Sequence, residues 1–228
     1  MPTLQGIRRR GYTPSALRVM VERVGVRKQN SLLDISVLEG ALRDDLDARA
    51  PRRMAVLEPL KVVLSNLPEG HEEVLTFANH PKDEAQGTRE IPFSRDLWIE
   101  REDFAEVPPP GFKRLTVGGD VRLRGAGIIR CDEAVKDADG RVVALRCTLD
   151  PDSRPGMEGA NRKVKGTIHW VSATHAVPAE IRLYDRLFSV PDPDHDADGT
   201  TYRDHLTPDS RRMVQGYVEP AAAGASPE

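Results

Sequence analysis

Leu17, Met20, Val21 and Val24 recur at helical spacing and form one apolar stripe, as a helix with one face against a core requires. Thr13 suits the N-cap, Pro14 the first helical position and Gly25 the exit, so the pattern predicts a helix between them. A second helix is predicted from "SVLE", residues 36–39, a capping-box pattern, with Ala41, Leu42 and Leu46 following at helical spacing. Pro51 stops it.

After Pro51 the period changes. Short β-like runs recur, "MAVLE", "LKVVL", "EEVLTF", "EIPFS", "DLWIE", "GIIRC", "VVALRCTL" and "VKGTIHWVS", and "EIRLYDRLF" closes the ordered part. Many short strands punctuated by Pro, Gly and Asp indicate barrels or a sandwich and not a parallel sheet. No internal repeat is visible. "PPPG" and "DPDSRPGMEG" read as loops, and "EPAAAGASPE" has a linker's composition.

Residues 111–129, "GFKRLTVGGDVRLRGAGII", predict a hairpin around Gly118, Gly119 and Asp120. A three-residue loop sets Leu115 against Leu123 and Val117 against Val121, the register the apolar pattern favours. That register also sets Arg114 opposite Arg124, with Arg122 on the same face. Like charges directly opposite repel, and phosphate or base edges would relieve them.

The 228 residues are 39% hydrophobic and 30% charged, enough for a packed core. The net charge of −3 argues against a protein that coats nucleic acid generally. The distribution is uneven: residues 1–30 hold seven Arg or Lys against Glu22 alone, and residues 192–209 hold six Asp against Arg203 alone. Such local fields attract partners that net charge hides. No signal peptide and no run of 18 apolar residues is present. Cys131 and Cys147 flank "DADG", which brings them near one another across a hairpin. Either a disulfide or two reduced thiols follows, and reduced thiols in a cytosolic protein are the favoured reading.

Candidate chemistry is sparse. "DHDADG" sets Asp194, Asp196, Asp198 and Gly199 at the first positions of a calcium loop, but His205 stands where the bidentate Glu belongs. The favoured reading is a solvated acidic loop. His169 and His175 bracket Trp170 without the further ligands that zinc needs. No nucleophile elbow, P-loop or dinucleotide fingerprint is present. The residues themselves therefore point to binding, with single-stranded RNA the form a basic barrel surface reads best.

Several long segments resemble one family in chain order. "MPTLQGIRRRGYTPSALR", "APRRMAVLEPLKVVL", "NHPKDEAQGTREIPFS", "LWIEREDF", "FKRLTVGGDVRLR" and "RKVKGTIHWVSATHAVPAEIRLYDRLFSVP" resemble the region that follows the catalytic core of glutaminyl-tRNA synthetases. The resemblance implies a mainly β chain: two small antiparallel β-barrels of the ribosomal-protein-like anticodon-binding type, preceded by a short α-helical subdomain. It implies a helical subdomain over residues 1–50, a proximal barrel over 51–68 and 162–228, and a distal barrel over 69–161. It implies anticodon contacts from Arg52 and the turn ending at Pro81 to the middle base. Lys113 and Arg114 go with the third base, and Arg122 and Arg124 with the first. Gly111 and Lys82 depart from residues that family members carry.

The resemblance further implies a further C-terminal strand pair that closes the proximal barrel, and a catalytic N-terminal domain. Neither a "HIGH"-like nor a "KMSKS"-like segment occurs in these residues. No catalytic residue, metal site or cofactor is assigned to this chain, and ATP and magnesium belong to the intact enzyme. The expected setting is a cytoplasmic monomer, away from membranes, with the tRNA for glutamine as partner. The alternatives are the corresponding region of a eukaryotic-type glutamyl-tRNA synthetase, a stand-alone RNA-binding barrel, and a calcium-regulated β-protein resting on the Asp loop.

Overall fold

The computed structural model describes residues 3–25, 28, 33–193 and 199–224. Three helices lead. The short α1 (Leu4–Arg9) has no counterpart in the sequence pattern. In α2 (Pro14–Val24), Thr13 Oγ1 accepts from the Ala16 amide at 3.1 Å, and Gly25 at φ 74° makes the exit. Helix α3 (Ile35–Arg49) is capped by Asp34 and not by Ser36: the Asp34 carboxylate accepts from the Ser36 amide at 2.8 Å. A carboxylate one residue ahead of the helix reaches that open N–H directly, which leaves Ser36 inside the first turn.

The two longer helices meet through small residues. Ala16 and Ala41 are buried, with Leu38 beside them, whereas Val21 of the apolar stripe stays 49% exposed. Asp45 ties the pair together, accepting from Thr13 Oγ1 at 2.6 Å, Ser15 Oγ at 2.8 Å and Arg49 Nη2 at 2.7 Å. The Arg49 hydrogen bond, followed by that of Thr13, lowers the Asp45 carboxyl from 3.8 to about 2. A depressed carboxyl contributes stability that is complete above its unfolded value and is lost as pH falls through its folded one. The stability gap between the parent and Asp45→Asn is therefore expected to close as pH falls from 3.8 to about 2. Urea melts at stepped pH measure it, and a gap that stays constant would overturn the assignment.

Among the described residues twelve strands follow, as the change of period predicts. The first eight are β1 (Ala55–Val56), β2 (Pro59–Leu64), β3 (Glu72–Ala78), β4 (Thr88–Ser94), β5 (Asp96–Glu100), β6 (Asp120–Leu123), β7 (Gly127–Lys136) and β8 (Val142–Asp150). Then come β9 (Thr167–Ile168), β10 (Val171–Ser172), β11 (Val177–Tyr184) and β12 (Arg211–Val218), before a short α4 (Pro220–Ala223). A seven-stranded sheet runs β10-β5-β2-β8-β7-β6-β9, a three-stranded sheet runs β1-β12-β11, and β3 pairs with β4. Among these strands β2–β8 and β6–β9 pair in parallel and the other ladders are antiparallel. The large sheet takes β2, β9 and β10 from residues 51–68 and 162–228, and β5 to β8 from residues 69–161. The fold is mainly β, and its core is built from alternate residues of these strands. Leu60, Val62 and Leu64 of β2 and Leu97 and Ile99 of β5 are all buried there, together with Phe93 and Trp170.

Two expectations are corrected. The hairpin across Gly118–Asp120 does not form. Leu115 bridges Phe104 and Val117 bridges Cys131, while β6 pairs with β7, Val121 facing Ile129. The cause lies in the turn. The Gly118 amide donates to the Cys131 carbonyl at 2.7 Å and the Cys131 amide to the Gly119 carbonyl at 3.1 Å. Val117 is thereby laid against β7, and Leu115, bonded to Asp103 and Ala105 instead, becomes fully buried. The tight turn falls instead at 124–126, with Gly125 at φ 66°.

Nor does "EIRLYDRLF" end the ordered part. Strand β12 lies beyond it and pairs with the whole of β11, from Val177↔Val218 to Tyr184↔Arg211. Its alternation is faint because four of its eight residues are exposed and three partly so, and its one buried residue is Gly216. A Cβ there would sit 2.3 Å from the Val56 carbonyl oxygen, so close approach and not apolar burial selects the residue.

Cys131 and Cys147 do face one another as a cross-strand pair, buried and unbridged. A hydrogen bond from Cys131 and burial push the Cys147 thiol far up. Asp194, Asp196 and Asp198 of the acidic loop lie outside the described residues. Among the described residues no helix is long and apolar enough to cross a membrane.

Candidate nucleic-acid interface

A cleft of about 710 Å³ opens where the start of β1, the β3–β4 pair and the turn after β6 converge. Arg52, Pro81 and Arg124, remote in sequence, all line it. Each is placed by a different device.

Arg52 sits at the exit of α3, where helix carbonyls lack partners. Its guanidinium donates to the Leu46 and Ala50 carbonyls, both at 3.2 Å, and to the Asp47 carboxylate at 2.6 Å. It therefore clamps the helix to the strands as well as facing the cleft. Pro81 follows the buried His80, whose Nε2 lies 2.9 Å from the Asp47 carbonyl. Lys82 reaches the Asp47 carboxylate at 2.9 Å. The Lys82 contact, ahead of Arg52, holds the Asp47 carboxyl below the usual range.

Arg124 is arranged in the opposite way. Its backbone is pinned: the amide donates to the Ile168 carbonyl at 2.9 Å and its carbonyl accepts from Trp170 Nε1 at 3.0 Å. Its side chain is exposed and has no hydrogen bond or ion pair among the described residues. Gly125 beside it presses on Phe77, since a Cβ there would lie 2.4 Å from the ring. Only glycine combines that approach with φ 66°.

The remaining candidates lie next to this cleft. Arg122 lines an adjoining cleft of about 500 Å³ with Gly125, Pro155 and Met157, and donates to the Arg162 carbonyl at 2.8 Å. Lys113 and Arg114 meet it across Gly166. The Arg122 amide donates to the Gly166 carbonyl at 3.0 Å, and a Cβ on Gly166 would strike the Lys113 carbonyl at 2.2 Å. Arg114 pairs with Asp103 at 2.9 Å. Burial pushes the Asp103 carboxyl up, against the pull of His169 and Arg114. The expected face of three repelling guanidiniums is thus corrected. Arg114 has a carboxylate, Arg122 a carbonyl, and Arg124 alone of the three is unpaired among the described residues.

Several cleft residues escape the sequence reading, Arg53, Phe77 and Arg89, and His169, weighed there only as a metal ligand, lines the cleft as well. Phe77 and Arg89 are cross-strand partners, and the Arg89 guanidinium lies 5.6 Å from the Phe77 ring centroid. Counting outward from the "NHPKDEAQG" turn would have paired them. His169 has Nε2 2.7 Å from the Ala55 carbonyl, and His175 has Nε2 3.0 Å from Glu72. Among the described residues no group of three or more His, Cys, Asp or Glu is placed to hold a metal ion.

An exposed cation on a fixed backbone, flanked by further guanidiniums and an aromatic ring, suits phosphates and unstacked bases. Comparison with known proteins agrees. Residues 50–150 match the family described as "tRNA synthetases class I (E and Q), anti-codon binding domain", and residues 167–228 match a second family of the same description. Over all 228 residues the chain is 73% identical to a glutamine–tRNA ligase of Xanthomonas euvesicatoria pv. vesicatoria (strain 85-10) and 69% identical to one of Xylella fastidiosa (strain M12). It spans 39% of the length of each. The chain belongs to the class I tRNA synthetases for glutamate and glutamine, and carries their anticodon-binding domains.

Proposed function

We propose that this chain reads the anticodon of the tRNA for glutamine on behalf of a glutaminyl-tRNA synthetase that joins glutamine to that tRNA. The observation that carries this reading is the cleft shared by Arg52, Pro81 and Arg124, with the Arg124 side chain unpaired among the described residues. The names of the relatives favour glutamine over glutamate. The middle base enters this cleft against Arg52 and Pro81. The first base lies toward Arg124 and Arg122, and the third toward Lys113 and Arg114. In this reading the helices over 1–50 join the catalytic part to a proximal barrel (51–68 and 162–228) and a distal barrel (69–161). ATP and magnesium serve that catalytic part. The protein works in the cytoplasm, where tRNA is charged, as a monomer.

Binding of this chain to the tRNA for glutamine, and to the same tRNA altered at the middle anticodon base, tests the reading at one fixed salt. Tighter binding of the unaltered tRNA is expected, and equal binding would overturn it. The 228-residue chain by itself is expected to show neither aminoacylation nor ATP–pyrophosphate exchange, since its residues supply no nucleotide-binding motif. Turnover above a heat-killed control would contradict this.

A further inference from the structure

Glu219 is a carboxylate that the anticodon-binding reading leaves without a role. It follows β12, and its side chain is 1% exposed. Its amide donates to the Met54 carbonyl at 3.0 Å, which seats it behind the cleft wall. Both of its oxygens bind one guanidinium: Arg89 Nε at 2.6 Å and Arg89 Nη2 at 3.2 Å. Arg89 Nη1 donates to the Ala78 carbonyl at 2.8 Å, and the face of the group lies on Phe77. All three nitrogens of the Arg89 guanidinium are thereby engaged, and its side chain is 8% exposed. Arg53 comes within 3.7 Å of the same carboxylate and stays 31% exposed.

The cleft thus gathers four arginines but two internal counter-charges, Asp47 for Arg52 and Glu219 for Arg89. Phosphate neutralisation is blind to sequence, whereas base contacts discriminate. A cleft with every guanidinium unmasked would hold any RNA strand. We infer that Glu219 is a specificity-setting residue: it masks Arg89 and positions it as a wall of the cleft, which keeps generic phosphate binding low and lets base contacts decide. This rests on the anticodon-binding reading above.

The test uses the full 228-residue chain, the tRNA for glutamine, and the same tRNA changed at the middle anticodon base, titrated over a range of salt. Glu219→Gln keeps an oxygen for Arg89 but removes the charge. Its slope of log K against log salt is expected to steepen by about 0.7–0.9, one added phosphate contact. The altered tRNA should gain affinity, and the ratio between the two tRNAs should fall at least threefold. Arg89→Gln should move the slope the other way, because Glu219 then faces the cleft with only Arg53 near it. The double variant, neutral at both positions, should restore the parental slope. Slopes that stay parental in both single variants would overturn the inference, as would equal losses for both tRNAs at unchanged slope in Glu219→Gln. Should that variant not fold, an unaltered slope in Arg89→Gln alone overturns it. A parent that fails to distinguish the two tRNAs would instead defeat the anticodon-binding reading itself.

Discussion

Replacing Arg124 with Ala is expected to weaken binding of the tRNA for glutamine by about 1–3 kcal/mol, the range of a bidentate base contact. The same change should cost clearly less for a tRNA altered at the base Arg124 meets. The protein itself should melt as the parent does, because the side chain has no hydrogen bond or ion pair among the described residues. Filter binding of both tRNAs at one salt concentration, with thermal melts of both proteins, measures all three quantities. Equal losses for both tRNAs would reduce Arg124 to a phosphate contact. Arg114 should behave differently. Arg114→Ala strips the nearly buried Asp103 of its cation, so it is expected to lose fold stability as well as RNA affinity. That contrast separates a residue held ready for a partner from one already engaged.

Trp170→Ala is expected to destabilise the protein by about 3–5 kcal/mol, the usual cost of removing a large buried aromatic. Trp170 is fully buried among the strands. Its ring meets Phe93 edge-on at 5.1 Å and Phe77 at 6.4 Å between centroids. Both are T-shaped contacts of the favoured kind. Its indole N–H also holds the Arg124 carbonyl at 3.0 Å. Trp170→Phe keeps a six-membered aromatic ring, and gives up that hydrogen bond together with the smaller, pyrrole part of the buried indole. It should cost far less stability yet still loosen the Arg124 backbone, so tRNA discrimination should fall further than stability does. Urea denaturation with tRNA binding on both variants gives the comparison. A loss below about 1 kcal/mol for Trp170→Ala would mean that the site collapses without a cavity.

The two longer helices and most strands could be read in the sequence because their signals are local. Thr13, Pro14 and Gly25 mark α2 through groups adjacent in the chain, and their roles are satisfied within one turn. Strands β2 and β5 alternate apolar and polar because one face of each packs on the core. Where the signal was misread, a non-local contact had prevailed over a local preference. The Gly118–Gly119 turn suited a hairpin, but bonding to Cys131 and burial of Leu115 directed the chain elsewhere. Strand β12 stayed hidden because exposed and partly exposed side chains leave no hydrophobic period.

The same division runs through the candidate site. Sequence alone determined the element types, the mainly β class and, through long family-like segments, which residues to inspect: Arg52, Pro81, Lys113, Arg114, Arg122 and Arg124. Tertiary structure decided which of them meet and which remain available. It joined Arg52, Pro81 and Arg124 in one cleft, and engaged Arg114 with Asp103 and Arg122 with the Arg162 carbonyl. It also brought Glu219 behind Arg89, 130 residues away in the chain. The physical reason is range. Caps, turns and alternation act over a few residues and leave a periodic trace. The pairing of a guanidinium is set by whichever carboxylate or carbonyl the folded chain delivers within about 3 Å, and no local pattern encodes that.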